Sequence, residues 1–326
     1  MQEAEAKNSL VLKAGSGLQL AAPHSILAAG AAASFAWEEF FVGRLRNGYT
    51  RRAYLHAVRS FLSWSEQRQM ELARITPGMV GQYFDELRIS TPSKKLYLSA
   101  IRSFFDVLVQ RHVIVLNPAL SVRTERFSAT EGRTPEISVA QSRQLLNAIP
   151  LGTVVDLRDR ALIATLIYTA ARAGAVAKLR LKDFEFDGTQ FALRFAEKGG
   201  KARLIPVRAD LQRFLQEYLV ASGLESGEKD SPLFRTAAGR CAKLSAAPMS
   251  GVDICRLVKR RLKAAGLPTL MSPHSFRSMA ATDLLLQGVA LEDVQFLLGH
   301  SDSRVTKLYD RRQKQITRNI VERISV

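Results

Sequence analysis

Cysteine is almost missing from this 326-residue chain. The two present, Cys241 and Cys255, form no C-x-x-C pattern. That excludes a disulfide framework and a zinc ribbon, and it fits a reducing cytoplasm. No apolar run reaches the roughly 18 residues that a membrane span needs. The first residues lack a basic stretch followed by an apolar core, so a secretory signal is not expected. No internal repeat and no heptad array occurs, which sets aside solenoids and coiled coils.

Acidic residues are also in the minority. Asp and Glu number 30 against 47 Lys and Arg, a formal charge of +17 and a pI near 10.3. A field of that size points to a polyanionic partner, nucleic acid first. The excess is not a tail. Residues 1–33 are neutral, with Lys7 and Lys13 against Glu3 and Glu5, and residues 34–120 carry 12 basic and 7 acidic side chains. The rest of the excess lies after 120, inside segments with enough apolar content (47% overall) to fold.

The length suits two domains. Residues 1–33, rich in Ala, Gly and Ser, are expected to be a mobile extension, with folding starting near Phe35 and Trp37. Residues 34–120 read as a helical domain. "TRRAYLHAVRSFLSW" has Thr50 as a cap and Tyr54, Val58, Phe61 and Leu62 at helical spacing. "TPGMVGQYFDELR" and "TPSKKLYLSAIRSFFDVLVQR" each begin Thr-Pro, a cap followed by the first helical position. Arg51, Arg52, Arg59, Lys94, Lys95 and Arg102 project from these helices. By themselves they read as a solvated face.

Residues 121–137 break the periodicity and are expected to be a linker. Residues 138–326 read as a second domain, mainly α with a small antiparallel sheet. "DLRDRALIATLIYTAAR" is a strongly apolar helix expected to end near Gly174, and "TQFALRFAEKGGKARLIPV" reads as two strands about a Gly-Gly turn. Helices are expected at 208–221, at 251–265, and in the three C-terminal segments that contain "SPHSFR", "FLLGH" and "TKLYDRR".

Several residues here carry chemistry. In "SPHSFR", Ser272 and Pro273 place His274 and Arg277 three apart in a first helical turn, where free N–H groups favour a phosphate. Gly299 reads as a helix stop that holds His300 at a turn, and Tyr309 lies nine residues on in an amphipathic segment. Lys198 sits near the tip of the expected hairpin, and Arg172 follows so apolar a helix that it is expected to be buried and to need a partner. Taken singly, each has a plainer reading: a turn lysine, a packing tyrosine, a capped helix.

In order, Arg172, Lys198, His274-x-x-Arg277, Gly299-His300 and Tyr309 resemble the tyrosine recombinase (phage integrase) family, including its Xer-like and Cre-like members. The resemblance covers about residues 35–315. It implies a two-domain DNA clamp and a site-specific DNA recombinase acting through a 3′-phosphotyrosyl intermediate. It implies Tyr309 as nucleophile, Arg172 and Arg277 on the non-bridging oxygens, and Lys198 as proton donor to the leaving 5′ oxygen. His274 assists proton transfer at the tyrosine, and His300 bonds the phosphate or the site. The six cations of the first domain become phosphate contacts. No metal or cofactor is implied. The implied partners are double-stranded DNA with inverted-repeat sites and, in the synaptic complex, a homotetramer, in a bacterial-type cytoplasm at the nucleoid. The tail "QITRNIVERISV" suits docking on a neighbouring protomer or packing in cis.

Two positions depart from the family pattern. Ala170 stands where Thr-Gly-x-Arg has its glycine, a change that is mild in helical backbone and strained at positive φ. Ala175 stands where an acidic residue commonly follows the first arginine. A catalytically weakened DNA-binding protein and a type IB topoisomerase-like enzyme therefore stay open as alternatives.

Overall fold

The computed structural model describes residues 20–125, 134–135, 137–196, 202–239, 241–299 and 306. The chain divides into two compact units, Met1–Ser128 and Ala129–Val326.

The first unit is helical: α1 His24–Ala28, α2 Ala31–Glu38, α3 Gly48–Gln67, α4 Pro77–Glu86 and α5 Thr91–Gln110. The expected mobile extension is corrected from residue 20 onward. Ile26 and Ala33 are fully buried, Trp37 donates its indole N–H to Leu20 O at 3.0 Å, and Ser25 N–H donates to Glu66 at 2.7 Å. Burying one isoleucine contributes about 1.5–3 kcal/mol, enough to order a short Ala-rich segment that has no strong helix signal of its own. Trp37 then joins Phe40, Phe41 and Phe104 in an aromatic cluster, with Trp37 and Phe41 centred 4.5 Å apart. Between α2 and α3 the chain makes a π-helical turn over Glu39–Arg44.

Two caps move. The α3 cap is Asn47, whose side chain accepts from Tyr49 and Thr50 N–H, so Thr50 lies inside the helix. Ser90 caps α5, and Thr91 turns its hydroxyl to Glu125 at 2.9 Å. Thr76 and Pro77 open α4 as their sequence suggests. The stripe of Leu98, Ile101, Phe105 and Leu108 is buried along α5.

The second unit has α6 Val139–Asn147, α7 Val154–Thr169 and a short α8 Ala173–Val176, then β1 Phe184–Phe186, β2 Phe191–Ala196 and β3 Ala202–Pro206. After these come α9 Ala209–Ser222, β4 Arg235–Ala237, β5 Leu244–Pro248, α10 Gly251–Ala264, α11 Pro273–Leu286 and α12 Leu291–Leu298. β1, β2 and β3 form an antiparallel sheet in that order, and β4 pairs β5 in a second, two-stranded sheet. Ser138 and Gln141 close a capping box on α6. α7 is buried from Arg158 nearly to its end and apolar on every side after Arg160, so it forms the axis of this core.

α7 ends earlier than Gly174. Ala170 caps it at φ 50° and ψ 24°, a left-handed conformation. For an alanine that costs roughly 1–2 kcal/mol, because Cβ crowds the following carbonyl. Packing supplies part of the compensation: Ala170 is fully buried with Ala281, Leu285, Val294 and Leu298. Among the described residues no helix is long and apolar enough to cross a membrane.

Candidate active site

α7 bears charges in its buried surface that the sequence reading passed over. Asp159 is 0% exposed and Arg158 2%. Arg158 donates to Asp159 Oδ1 from Nε and Nη2 at 3.0 and 2.5 Å, and its Nη1 reaches Arg235 O on β4 at 2.9 Å. From α10, Arg260 and Arg261 reach Asp159 Oδ2 at 2.8 and 2.7 Å, and Arg261 also reaches Asp156 at 2.6 Å. Burial pushes the Asp156 carboxyl up, but Thr153 and Arg261 outweigh it and hold the group below its usual range. α7, β4 and α10 are thereby pinned to one carboxylate, which fixes where α7 delivers its C-terminal end. The sequence signal was present: Asp156 and Asp159 lie three apart, with Arg158 and Arg160 beside them, at the start of an otherwise apolar helix.

At that end sits the candidate site. Arg277, on the first turns of α11, is 1% exposed. Nη1 donates to Ala170 O at 2.7 Å and Nη2 to Leu298 O at 2.5 Å. These oxygens belong to the C-terminal ends of α7 and α12, where carbonyls lack helical partners and the helix dipole is negative. The left-handed turn at Ala170 is what stops α7 where its carbonyl meets Arg277. Both of these acceptors are backbone carbonyls, which orient a guanidinium.

His274 lies one turn earlier on α11, with Ser272 N–H bonded to Ser275 Oγ at 3.1 Å at the helix start. Its side chain has an exposed edge. Crowding by the protein, then the charges of Arg277 and Arg172, holds its imidazole below the usual range, so the neutral ring is favoured. Arg172, His274 and Arg277 therefore share one locale. Arg172 itself corrects an expectation. It is exposed at the start of α8, not buried, two residues after the left-handed turn that ends α7 at Ala170. Ala175, three residues on, packs its methyl against the core of this unit.

Lys198, His300 and Tyr309 lie outside the described residues. Their flanks are described: β2 and β3 pair up to Ala196↔Ala202, α12 stops at Gly299 with φ 60°, and Thr306 is helical and buried. Among the described residues no cluster of His, Cys, Asp and Glu could hold a metal ion.

In the first unit the six candidate cations separate. Arg51 donates twice to Leu45 O, at 3.0 and 2.7 Å. Arg59 donates to Ala21 O at 2.7 Å, beside the Trp37 ring. Arg102 donates to Ala119 O at 2.9 Å and to Val122 O. These three brace the unit's own backbone and are partly buried, so they do not simply project into solvent. Arg52 and Lys95 are exposed and Lys94 is partly so. Lys95 and Arg102 line a cleft of about 430 Å³ with Ser99, Ser103 and Arg123, a cation the sequence reading did not single out. α10 also carries exposed Arg256, Lys259, Arg260 and Lys263.

Residues 136–315 match the family model for the phage integrase family, and residues 37–112 match that for the phage integrase N-terminal SAM-like domain. The chain belongs to the phage integrase family of tyrosine recombinases, enzymes that cut and rejoin DNA strands at specific sites. It is 32% identical over 269 residues to the tyrosine recombinase XerD of Corynebacterium glutamicum, covering 78% of this chain and 85% of the relative. It is 27% identical over 272 residues to XerD of Chlorobaculum tepidum, covering 81% and 86%. Among solved structures, the XerH recombinase in a post-cleavage complex with palindromic difH aligns with a TM-score of 0.70 at 20% identity, over 83% of this chain and 80% of that one. A lambda integrase tetramer bound to a Holliday junction aligns at 0.58 and 20% identity, over 82% and 75%. At that identity the structural likeness speaks for the fold.

Proposed function

We propose that this recombinase cleaves DNA with Tyr309, whose phenolic oxygen attacks a phosphodiester and displaces the 5′ oxygen. The O–P bond to tyrosine forms as the P–O5′ bond breaks. The phenol proton passes to His274, and the departing oxygen takes a proton from Lys198. Arg172 and Arg277 hold the non-bridging oxygens, and His300 hydrogen-bonds the phosphate. A phenol with a pKa near 10 needs this help at neutral pH. The observation that carries the reading is Arg277, a buried cation set between two helix-end carbonyls beside a neutral histidine and a second arginine. A pentacoordinate phosphate gathers the negative charge that such donors stabilise. The 3′-phosphotyrosyl bond conserves the energy of the broken linkage, so rejoining needs no ATP, metal or other cofactor.

The substrate of this reading is double-stranded DNA with inverted-repeat sites, contacted by each unit and exchanged in a homotetramer, in a bacterial-type cytoplasm at the nucleoid. Arg52, Lys94 and Lys95 supply phosphate contacts from the first unit. A nicked suicide site resolved on a denaturing gel tests it: wild type leaves a covalent protein–DNA adduct and Tyr309→Phe does not. Tight binding of the cognate site with no wild-type adduct would instead leave a catalytically weakened DNA-binding protein, the reading that Ala175 favours by placing a methyl where a carboxylate is common. Supercoil relaxation without two-site exchange would point to topoisomerase-like action.

A further inference from the structure

The last turn of α12 is gripped from two directions. Arg277 reaches Leu298 O from α11. From β3, Arg203 Nη1 donates to Phe296 O at 3.3 Å, the same oxygen that accepts the N–H of Gly299 at 3.0 Å. Arg203 occupies a core-facing position of its strand, alternating with exposed Ala202 and Leu204, and is only 7% exposed. Its guanidinium stands 5.8 Å from the ring centre of Phe195, its register partner on β2. A leucine or isoleucine would fill such a position without desolvating a charge, so an arginine there needs a reason other than packing. Its reach supplies one. It joins the β2–β3 hairpin to the carbonyl end of α12, where a cation is favoured.

We propose that Arg203 is a positioning residue for strand cleavage, fixing the hairpin that carries Lys198 against the helix end that Arg277 also holds. The proposal rests on the reading of Lys198 as the proton donor to the 5′ oxygen. In this role Arg203 acts through the hairpin and not on the reacting atoms: it ties the strand ends to α12, and proton transfer from Lys198 to O5′ as the P–O5′ bond breaks depends on that tie.

Cleavage of two suicide substrates by the full-length protein tests this. One carries the ordinary 5′ oxygen at the scissile bond, the other a 5′-bridging sulfur. A thiolate departs without being protonated, so a defect in proton donation disappears on the sulfur substrate while a general structural defect does not. Arg203→Met keeps the alkyl bulk beside Phe195 and removes the donor. Single-turnover cleavage of the oxygen substrate is expected to fall about 100-fold, the usual consequence of displacing a catalytic group by about 1 Å. On the sulfur substrate it should return to the wild-type rate, with DNA affinity unchanged. Arg203→Lys, which keeps a donor, should recover part of the oxygen-substrate rate. Lys198→Ala is the reference and should show the same pattern. If Lys198→Ala is restored by sulfur and Arg203→Met is equally slow on both substrates, or is not slow on oxygen, the positioning role is wrong. If Lys198→Ala itself is not restored, the proton-donor reading falls and the positioning role falls with it.

Discussion

Two buried arginines of the second unit lie at opposite ends of α7 and are answered differently. Arg158 faces a carboxylate that it shares with Arg260 and Arg261. Arg277 faces the carbonyl oxygens of Ala170 and Leu298. A carboxylate neutralises the charge it binds, and the product is a rigid joint between α7, α10 and β4. Carbonyls aim a guanidinium without themselves carrying a formal charge, which is the arrangement the proposed phosphate-binding role of Arg277 uses. Sequence composition does not distinguish the two kinds of arginine; the partner does.

Substitutions should separate the two. Asp159→Ala strips the acceptor from three guanidinium groups and should cost roughly 3–5 kcal/mol, the range for breaking a buried ion pair. Chemical denaturation reads that loss, and cleavage per folded molecule should stay near wild type. A large catalytic loss at full stability would erase the distinction. Arg277→Lys should do the reverse. It cannot fork to both carbonyls, so cleavage should fall on the order of 10²–10³-fold, about 2.7–4 kcal/mol of transition-state stabilisation, with little change in the melting temperature.

The neutral histidine next to Arg277 adds a pH signature. Because the protein holds the His274 pKa below the ordinary imidazole range, the proton-accepting form persists as pH falls through that range. The acid limb of the cleavage profile should therefore lie below the usual imidazole pKa, and His274→Gln should remove the limb while slowing cleavage by at least about 100-fold. A limb at or above the ordinary value would contradict the electrostatics of the site.

Ala170→Gly probes the carbonyl side of the comparison. Relief of about 1–2 kcal/mol of left-handed strain, less about 0.8 kcal/mol for the lost buried methyl, predicts a stability gain of up to about 1 kcal/mol in thermal unfolding. The smallest effects belong to the first unit. Lys94→Ala and Lys95→Ala should each flatten the salt dependence of DNA binding by about one unit of slope. Arg51→Ala should leave that slope alone and lower stability, since its donors are on Leu45 O.

The helices with strong caps or unbroken apolar stripes were legible before the structure, as with α4 behind Thr76 and α5 along Leu98–Leu108. The order of the site residues along the chain was legible too, and it led to the family. What was not legible depended on tertiary context. α1 looked like spacer because it lies in a stretch, residues 1–33, rich in Ala, Gly and Ser, and the packing of Ile26 shows otherwise. The stop at Ala170 was hidden because a residue with a Cβ is uncommon in a left-handed turn, where glycine is the usual signal. The exposure of Arg172 follows from that stop. Arg51, Arg59 and Arg102 resembled a phosphate-facing row because a helical pattern gives the direction of a side chain at its root, while their long stems fold back onto carbonyls of the same unit. β1 and the β4–β5 pair were passed over because two of those strands have only three residues each, too few for an alternation to register.

The grip on Arg277 also fixes when the protein becomes able to act. Ala170 O, Arg277 and Leu298 O are spread over much of the second unit's sequence, the first two lying 107 positions apart. A ribosome delivers them in that order. A nascent chain that has not yet emerged past α12 holds both the helical first unit and the Asp159 joint, but its guanidinium has only one of the two carbonyls that aim it. If Arg277 holds the phosphate as proposed, cutting waits for α12, and a chain terminated before that helix would have a first unit and an Asp159 joint but only one of the two oxygens that orient Arg277.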